Sequence, residues 1–267
     1  MTIDLFAVRS ILFLPASNPR AIARAREAGA DLVVLDLEDA VKPEDKVTAR
    51  AAAVEAVREP WPMPVAIRVN GIATNWYDED VAAVRESNAD LVVLPRADSA
   101  DAIRATWQGV QRGILAMIET AAGVLAAPEI AKEVAALIAG TNDLSADLRL
   151  PPDAGRGPLQ MALQSIVLAG RAAGIAMFDG VFNGLDDPDG FLAQAEEGYW
   201  LGFDGKSLIH PDQVEPCHRA FAPTEAEIDR ARRLVDAATG GAERFEDRMI
   251  ERMHVEAAKR LLARASR

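Results

Sequence analysis

Carboxylate side chains end several short apolar runs of the sequence, and two of them suggest a metal site. Glu119 ends the run that starts at Gly113, and Asp143 follows the run that starts at Ala135. Carboxylates that lie close together repel one another unless a cation sits among them. Oxygen donors suit Mg²⁺ or Mn²⁺, and Mg²⁺ usually takes one or two protein carboxylates with water and substrate oxygens. We therefore predict Glu119 and Asp143 as ligands of a divalent cation.

Arg68 lies in another such run and suggests how a substrate is held. Its planar guanidinium can pair with both oxygens of a carboxylate beside the metal. Together with Glu119, Asn142 and Asp143, it forms the predicted substrate-binding set. For any one of these residues, a structural ion pair at a strand end is the alternative. Their joint placement favours a binding site.

Lys206 suggests a different chemistry. A lysine at a strand end can form a Schiff base with a keto acid, as in metal-independent aldolases. The alternative is an ion pair with Asp179 or Asp204, which the many acidic strand ends favour.

These residues act together only if their strands meet at one edge. Runs rich in Val, Ile and Leu recur, each followed by a stretch with helical spacing, as in parallel strands joined by helices. Residues 30–35 and 89–94 nearly repeat each other. This predicts an α/β fold, a (β/α)8 TIM-type barrel whose active site lies at the C-terminal strand ends. An open sheet is the alternative, although no glycine-rich nucleotide-binding motif follows the first strand. The predicted strands are 9–15, 31–38, 64–70, 90–96, 113–119, 135–142, 175–182 and 203–209.

A helical extension follows the predicted barrel. Thr224 and Glu227 have the spacing of a capping box, which predicts a helix to about Ala238, ended by Gly240 and Gly241. Apolar residues at helical spacing predict a last amphipathic helix over about 244–265. We predict a catalytic barrel over residues 1–222 and an extension over 223–267. The extension is either an extra cover on the barrel wall or an arm or lid at a neighbouring subunit.

The composition argues against several other classes of protein. The chain has 267 residues and a formal net charge of −12, whereas a nucleic-acid partner needs a basic face. Its only cysteine, Cys217, cannot form a disulfide within the chain or a thiolate metal cluster. No apolar run reaches the roughly 18 residues of a membrane span, and no secretory leader is recognisable. We predict a cytoplasmic protein that acts on small molecules, with no nucleic-acid or membrane partner.

Five stretches of the sequence resemble the citrate lyase beta-subunit-like family of Mg²⁺-dependent (β/α)8 lyases and synthases of acyl-CoA thioesters, related to malyl-CoA lyases. The resemblance spans about residues 9–262, and the stretches occur in the family's order. It implies Glu119 and Asp143 as metal ligands, with Arg68 for the substrate carboxylate. It also implies that Glu38 and Asp39 lie beside the metal-bound waters, and Glu38 joins the predicted catalytic set. The stretches are residues 12–15, 35–41, 67–71, 118–123 and 202–211.

The chain departs from the family's pattern at three positions. Ala16 stands where the family usually has glycine, which narrows the predicted mouth of the site. Asn142 stands where the family has a glutamate, which lowers the charge beside the metal. Glu251 stands where some members carry an aspartate that reaches a neighbour's site as general acid/base. Either Glu251 keeps that catalytic role through a shift of the arm, or it faces solvent.

The resemblance implies reversible Claisen-type cleavage of a carboxylated 3-hydroxyacyl-CoA, such as citryl-CoA or malyl-CoA, to a 2-oxo acid and an acyl-CoA. It also implies a homo-oligomer, a trimer. Two alternatives stay open. One is a beta subunit of a citrate lyase complex that acts on a carrier-bound acyl group. The other is a Schiff-base aldolase that uses Lys206.

Overall fold

Eight parallel strands close into a barrel in the order of the sequence, and the last strand pairs with the first. This computed structural model describes residues 3–239 and 241–265. The predicted (β/α)8 barrel is confirmed, and each strand lies within the run predicted for it. The strands are β1 (Ser10–Pro15), β2 (Leu32–Asp36), β3 (Val65–Arg68), β4 (Leu91–Leu94), β5 (Gly113–Ile118), β6 (Ala136–Ala139), β7 (Ala176–Asp179) and β8 (Gly205–Leu208).

Helices connect the strands, and a polar side chain caps the start of several of them. Asn18, Ser99, Thr120 and Asp187 each accept hydrogen bonds from backbone N–H groups of the helix that follows. The connecting helices are α1 (Pro19–Ala25), α2 (Lys46–Ala56), α3 (Tyr77–Glu86), α4 (Ala100–Val110), α5 (Ala121–Ile130), α6 (Thr141–Asp147), α7 (Gln160–Ala173) and α8 (Pro188–Leu201), with α9 (Val214–Ala220) after the last strand.

The barrel interior changes from apolar to charged along the strands. Val34, Ala66 and Met117 belong to the buried apolar core of the barrel. Side chains of a strand alternate between its two faces, so the residue two positions further on points the same way. Those next positions are Asp36, Arg68 and Glu119. The strand period therefore places these three charged side chains above the apolar core, at the C-terminal ends of β2, β3 and β5.

The chain divides into two compact units, residues 1–220 and 221–267. The second unit has its own small core, which includes Leu234, Phe245, Ile250 and Ala258. The predicted capping box at Thr224 is present, while Gly240 lies outside the described residues. The elements of this unit are α10 (Glu225–Ala237), β9 (Glu243–Phe245), β10 (Arg248–Ile250) and α11 (Arg252–Ala265). The boundary predicted at residue 222 and the role of an arm or lid stay predictions.

The prediction of a last helix from residue 244 is wrong at its start. Strands β9 and β10 form an antiparallel hairpin, and α11 begins only at Arg252. Phe245 and Ile250 both point into the core of the unit, and Glu246 turns the chain with a φ of 52°. A short apolar pattern fits both a strand and a helix, so the spacing alone extended the helix too far. Within the described residues, no helix has the length and apolar content needed to cross a bilayer.

Candidate active site

A cavity of about 380 Å³ opens at the C-terminal ends of the strands. Arg68, Glu119, Asn142 and Asp143 all line it, so four of the six predicted site residues meet in one place. Asp36 and Asp39 line it as well, and Glu38 reaches it through a contact with Arg68. Glu251 belongs to the second unit, where its N–H donates to His254 Nδ1 at 2.9 Å, and its catalytic role stays a prediction.

Arg68 is held by two carboxylates. Its Nε donates to Asp36 Oδ1 and its Nη2 to Asp36 Oδ2, both at 2.6 Å, and Nη1 lies 2.9 Å from Glu38 Oε2. Asp36 therefore occupies the edge of the guanidinium formed by Nε and Nη2, while Nη1 also donates to Met117 Sδ at 3.6 Å. Asp36 stands at the end of β2, but sequence reasoning assigned it no role; its position two residues before Glu38 was the available signal.

Glu119 is 1% exposed and is anchored from the backbone. Its Oε1 accepts a hydrogen bond of 2.6 Å from the N–H of Arg96, a residue with a left-handed φ of 47°. Burial raises the pKa of Glu119 to about 8, and the nearby carboxylates of Glu38 and Asp143 add to the effect. A buried carboxyl of this kind ionises readily at neutral pH only when a nearby cation compensates its negative charge.

Asp143 and Asn142 lie in the first turn of α6, directly after β6. The carboxylate of Asp143 has no hydrogen-bond or ion-pair partner among the described residues, and it faces the same cavity as Glu119. Asn142 instead pairs with Asn183 from the loop after β7, whose Nδ2 donates to Asn142 Oδ1 at 2.8 Å. The first turn of α6 and the loop after β7 are thus linked by an amide pair at the rim of the cavity.

The donor set fits a hard divalent cation. Glu119 and Asp143 both offer carboxylate oxygens as donors. Among the described residues, no group of three or more His, Cys, Asp or Glu side chains has an arrangement that could hold a metal ion. Two carboxylates leave the other positions of an octahedral ion to water and to substrate oxygens, which is the usual arrangement for Mg²⁺. A zinc site of three or four protein ligands does not fit this set.

Lys46 fixes the loop that carries Glu38, a role that no sequence pattern indicated. Its buried ammonium donates to the backbone oxygens of Leu37 and Glu38, both at 2.7 Å, and to Asn70 Oδ1 at 2.6 Å. Asn70 is in turn bound to Asp80 of α3 through its N–H and its amide. The loop after β2 is therefore tied to the loop after β3 by buried polar contacts.

Lys206 forms the structural ion pair rather than a reactive amine in the cavity. Its side chain is fully buried, and Nζ lies 2.9 Å from Asp179 Oδ2 and also donates to Gly180 O. Asp179 packs beside Gly198 of α8, in the layer between the barrel and its helices. Of the two partners considered, Asp179 is correct, because Asp204 pairs with Arg171 instead. This position gives no support to the Schiff-base aldolase.

Ser10, Asp31 and His218 are the residue types of a hydrolase triad without its geometry. His218 Nε2 lies 2.7 Å from Ser10 Oγ and 3.3 Å from Asp31 Oδ2, so both partners contact the same ring nitrogen. In a triad the serine and the acid bind opposite nitrogens of the ring. The cluster also lies at the N-terminal ends of β1 and β2, away from the cavity. It is a structural network.

A second cavity of about 420 Å³ adjoins the first one. Both cavities are lined by Phe13 and Ile209, among others, which marks their common wall. Arg20 and Arg24 lie one turn apart on the exposed surface of α1 and line the second cavity. Neither guanidinium has an ion-pair or hydrogen-bond partner among the described residues, so both are available to an anionic group.

Fold and site together define a class of protein: a TIM-barrel enzyme with a buried arginine and paired carboxylates at the C-terminal strand ends. The chain belongs to the HpcH/HpaI aldolase/citrate lyase family, whose model matches residues 9–211. The family resemblance predicted from the sequence is thereby confirmed.

Relatives within the family have different names. A (3S)-malyl-CoA thioesterase of Cereibacter sphaeroides is 39% identical, and the match covers 96% of this chain and 94% of that protein. The citrate lyase subunit beta of Escherichia coli is 34% identical over 96% of this chain and 93% of that protein. CitE of Mycobacterium tuberculosis, solved with magnesium, acetoacetate and coenzyme A, matches with a TM-score of 0.88 and 31% identity over 98% of this chain and 100% of that chain.

Proposed function

We propose that the protein is a Mg²⁺-dependent carbon–carbon lyase that cleaves a carboxylated 3-hydroxyacyl-CoA, such as malyl-CoA or citryl-CoA, to a 2-oxo acid and an acyl-CoA. The observation behind this proposal is the meeting of Arg68, Glu119 and Asp143 in one cavity. A small hydroxy acid anion needs a positive group to bind its carboxylate and a second positive charge beside its hydroxyl oxygen. In this cavity Arg68 would supply the first, and a cation held by Glu119 and Asp143 would supply the second. The complex of CitE with magnesium, acetoacetate and coenzyme A supports the same ligand classes.

In this proposal Glu119 and Asp143 would hold Mg²⁺, which supplies positive charge next to the hydroxyl oxygen of the substrate when it is bound. Arg68 binds the substrate carboxylate, while Asp36 fixes the orientation of the guanidinium. A base takes the hydroxyl proton, and Glu251 of a neighbouring subunit is our proposal for that base. Mn²⁺ is the alternative ion for the same oxygen donors.

The second cavity supports a coenzyme A thioester as the form of the substrate. Arg20 and Arg24 present two unpaired guanidinium groups on one helix face, which suits the phosphate groups of coenzyme A. The shared wall at Phe13 and Ile209 would let the pantetheine arm run from these arginines to the acyl group in the first cavity.

Thioester hydrolysis is a second candidate, and the 39% identical malyl-CoA thioesterase is the observation that favours it. Water would then attack the thioester carbonyl and release a hydroxy diacid and free coenzyme A.

A carrier-dependent role is a third candidate function, because the Escherichia coli relative is a subunit of citrate lyase. The homotrimer and the cytoplasmic location stay predictions.

One assay separates these candidates. The purified protein is incubated with (3S)-malyl-CoA and Mg²⁺, and glyoxylate and free thiol are measured in parallel. We expect glyoxylate to form with acetyl-CoA and without free thiol. Free thiol and malate without glyoxylate would establish the thioesterase. If malyl-CoA, citryl-CoA and other carboxylated acyl-CoA thioesters give neither a 2-oxo acid nor free thiol, the free-standing enzyme is contradicted.

The metal ligands are tested on the same reaction. Excess chelator is expected to abolish turnover, and added Mg²⁺ to restore it. Glu119→Gln and Asp143→Asn should each remove activity and weaken Mg²⁺ binding in calorimetry, with the melting temperature little changed. Full turnover in chelator would exclude the metal-dependent mechanism.

A further inference from the structure

We propose that the hydroxyl of Ser207 is a catalytic hydrogen-bond donor to the thioester carbonyl oxygen of the substrate. The proposal rests on the proposed function for the identity of the substrate, but it holds for either reaction at the thioester. The roles proposed for Arg68, Glu119 and Asp143 leave this oxygen without a donor.

Ser207 is a buried polar side chain without a partner. It is 1% exposed, and its Oγ has no hydrogen-bond partner among the described residues. It nevertheless lines the cavity that contains Arg68 and Glu119. A buried hydroxyl usually finds a partner, because leaving it unpaired costs free energy. An unpaired hydroxyl at the wall of a substrate cavity is therefore expected to find its partner in the substrate.

The position of Ser207 in the barrel points to a particular atom of the substrate. Arg68, Glu119 and Asp143 lie on or after β3, β5 and β6, and they would hold the hydroxy acid end. Ser207 lies on β8 and pairs in register with Ile11 of β1, on the side where the two cavities adjoin. A substrate whose hydroxy acid end is bound by Arg68, Glu119 and Asp143, and whose phosphates are bound by Arg20 and Arg24, has its thioester between these two ends. We therefore expect the thioester to lie against β8.

Several other polar groups of the cavity are already engaged. Asn142 and Asn183 are hydrogen-bonded to each other, and the Nε edge of Arg68 is bound to Asp36. Ser207 is the hydroxyl on the β8 wall that has a proton to donate.

The chemistry of the thioester calls for such a donor. When the carbon–carbon bond breaks, its electron pair moves into the acyl fragment and places negative charge on the thioester oxygen as an enolate. When water adds instead, the carbonyl electron pair places the same charge on the same oxygen. A preorganised donor that meets this oxygen stabilises the transition state of either reaction.

The test compares Ser207→Ala and Ser207→Thr with wild type on malyl-CoA. We expect kcat to fall about tenfold or more in Ser207→Ala, as for the loss of one oxyanion donor, with KM and the Mg²⁺ requirement little changed. Ser207→Thr keeps the hydroxyl and should recover most of the rate. Since Ser207→Ala removes an unpaired buried hydroxyl, its melting temperature should stay the same or rise. Equal kcat in Ser207→Ala and wild type, or a loss of rate explained by a lower melting temperature, would overturn the proposal.

A binding measurement separates this inference from the proposed function. The infrared carbonyl stretch of ¹³C-labelled acetyl-CoA is recorded free and bound to each variant in the presence of Mg²⁺. A hydrogen bond lowers this frequency, so we expect a downshift in wild type and Ser207→Thr that is absent in Ser207→Ala. An identical stretch in all three proteins contradicts the role of Ser207. If wild type turns over no acyl-CoA but shows the Ser207-dependent shift, the proposed reaction is wrong and the hydrogen bond stands.

Discussion

Asp36 binds Arg68 through two parallel hydrogen bonds of 2.6 Å, and both side chains are buried. Because this pair fixes the guanidinium that we assign to the substrate carboxylate, the first prediction concerns Asp36→Asn. Removing one partner of a buried ion pair costs about 3–5 kcal/mol of stability. We also expect KM for the acyl-CoA to rise about tenfold or more, since a misoriented Arg68 loses a charge-assisted contact.

Asp179→Asn is the matched control for that variant. Asp179 is fully buried and pairs with Arg156 and Lys206, outside the cavity. Its loss should lower the free energy of unfolding in urea by a similar amount while KM stays near the wild-type value. Similar KM values in Asp36→Asn and wild type would show that Arg68 does not depend on Asp36.

The close approach of Gly140 to Glu119 gives the second prediction. A Cβ at position 140 would overlap Glu119 Cβ and Oε2, so Gly140→Ala has to displace the carboxylate. We expect Mg²⁺ affinity, measured by calorimetry, to fall at least about tenfold, because the geometry of the ligand set is altered. Gly157→Ala is the control, since a Cβ there meets nothing within 4 Å. Unchanged Mg²⁺ binding in Gly140→Ala would remove Glu119 from the ligand set.

The cluster of Ser10, Asp31 and His218 gives the third prediction, which bears on any thioesterase activity. Both Ser10 and Asp31 contact the same nitrogen of His218, so the serine is not poised as a nucleophile. Ser10→Ala should therefore keep kcat close to wild type while it loses about 1–3 kcal/mol of stability, as expected when buried partners are left unpaired. A complete loss of hydrolysis in a folded Ser10→Ala protein would make the cluster catalytic.

The fourth prediction concerns the reactivity of Cys217. The thiol is buried, and burial raises its pKa to about 12. Because the thiolate is the reactive form, native protein at pH 8 should not react with a disulfide reagent over minutes, whereas protein unfolded in guanidinium should react fully. The unfolded thiol ionises first as pH rises, so Cys217 also favours unfolding between its ordinary pKa and about 12. Rapid stoichiometric labelling of native protein would contradict this burial.

The barrel and much of its site follow from local rules that the sequence displays. The period of buried strands located all eight of them, and the rule that barrel sites lie at C-terminal strand ends brought Arg68, Glu119 and Asp143 together. These features depend on residue order along one strand, which a pattern can show.

Features that depend on packing between distant segments could not be predicted in this way. Lys46 joins two loops through buried contacts, and Asp36 pairs with a residue 32 positions away. The missing partner of Ser207 is visible only when all of its neighbours are known. The hairpin before α11 was not predicted because the spacing of Phe245 and Ile250 is compatible with both a strand and a helix. Only the contacts of these residues in the small core show that they lie on strands.

Glu119 is anchored by the peptide N–H of Arg96, and the guanidinium of that residue takes no part in the contact. The hydrogen bond to the Glu119 carboxylate thus depends on the left-handed backbone of Arg96 and does not depend on which side chain this residue carries. Glycine or asparagine, which adopt that backbone most easily, should preserve the anchor while they remove an exposed positive charge. The charge at this surface position can therefore change, by evolution or by design, without disturbing the carboxylate of Glu119.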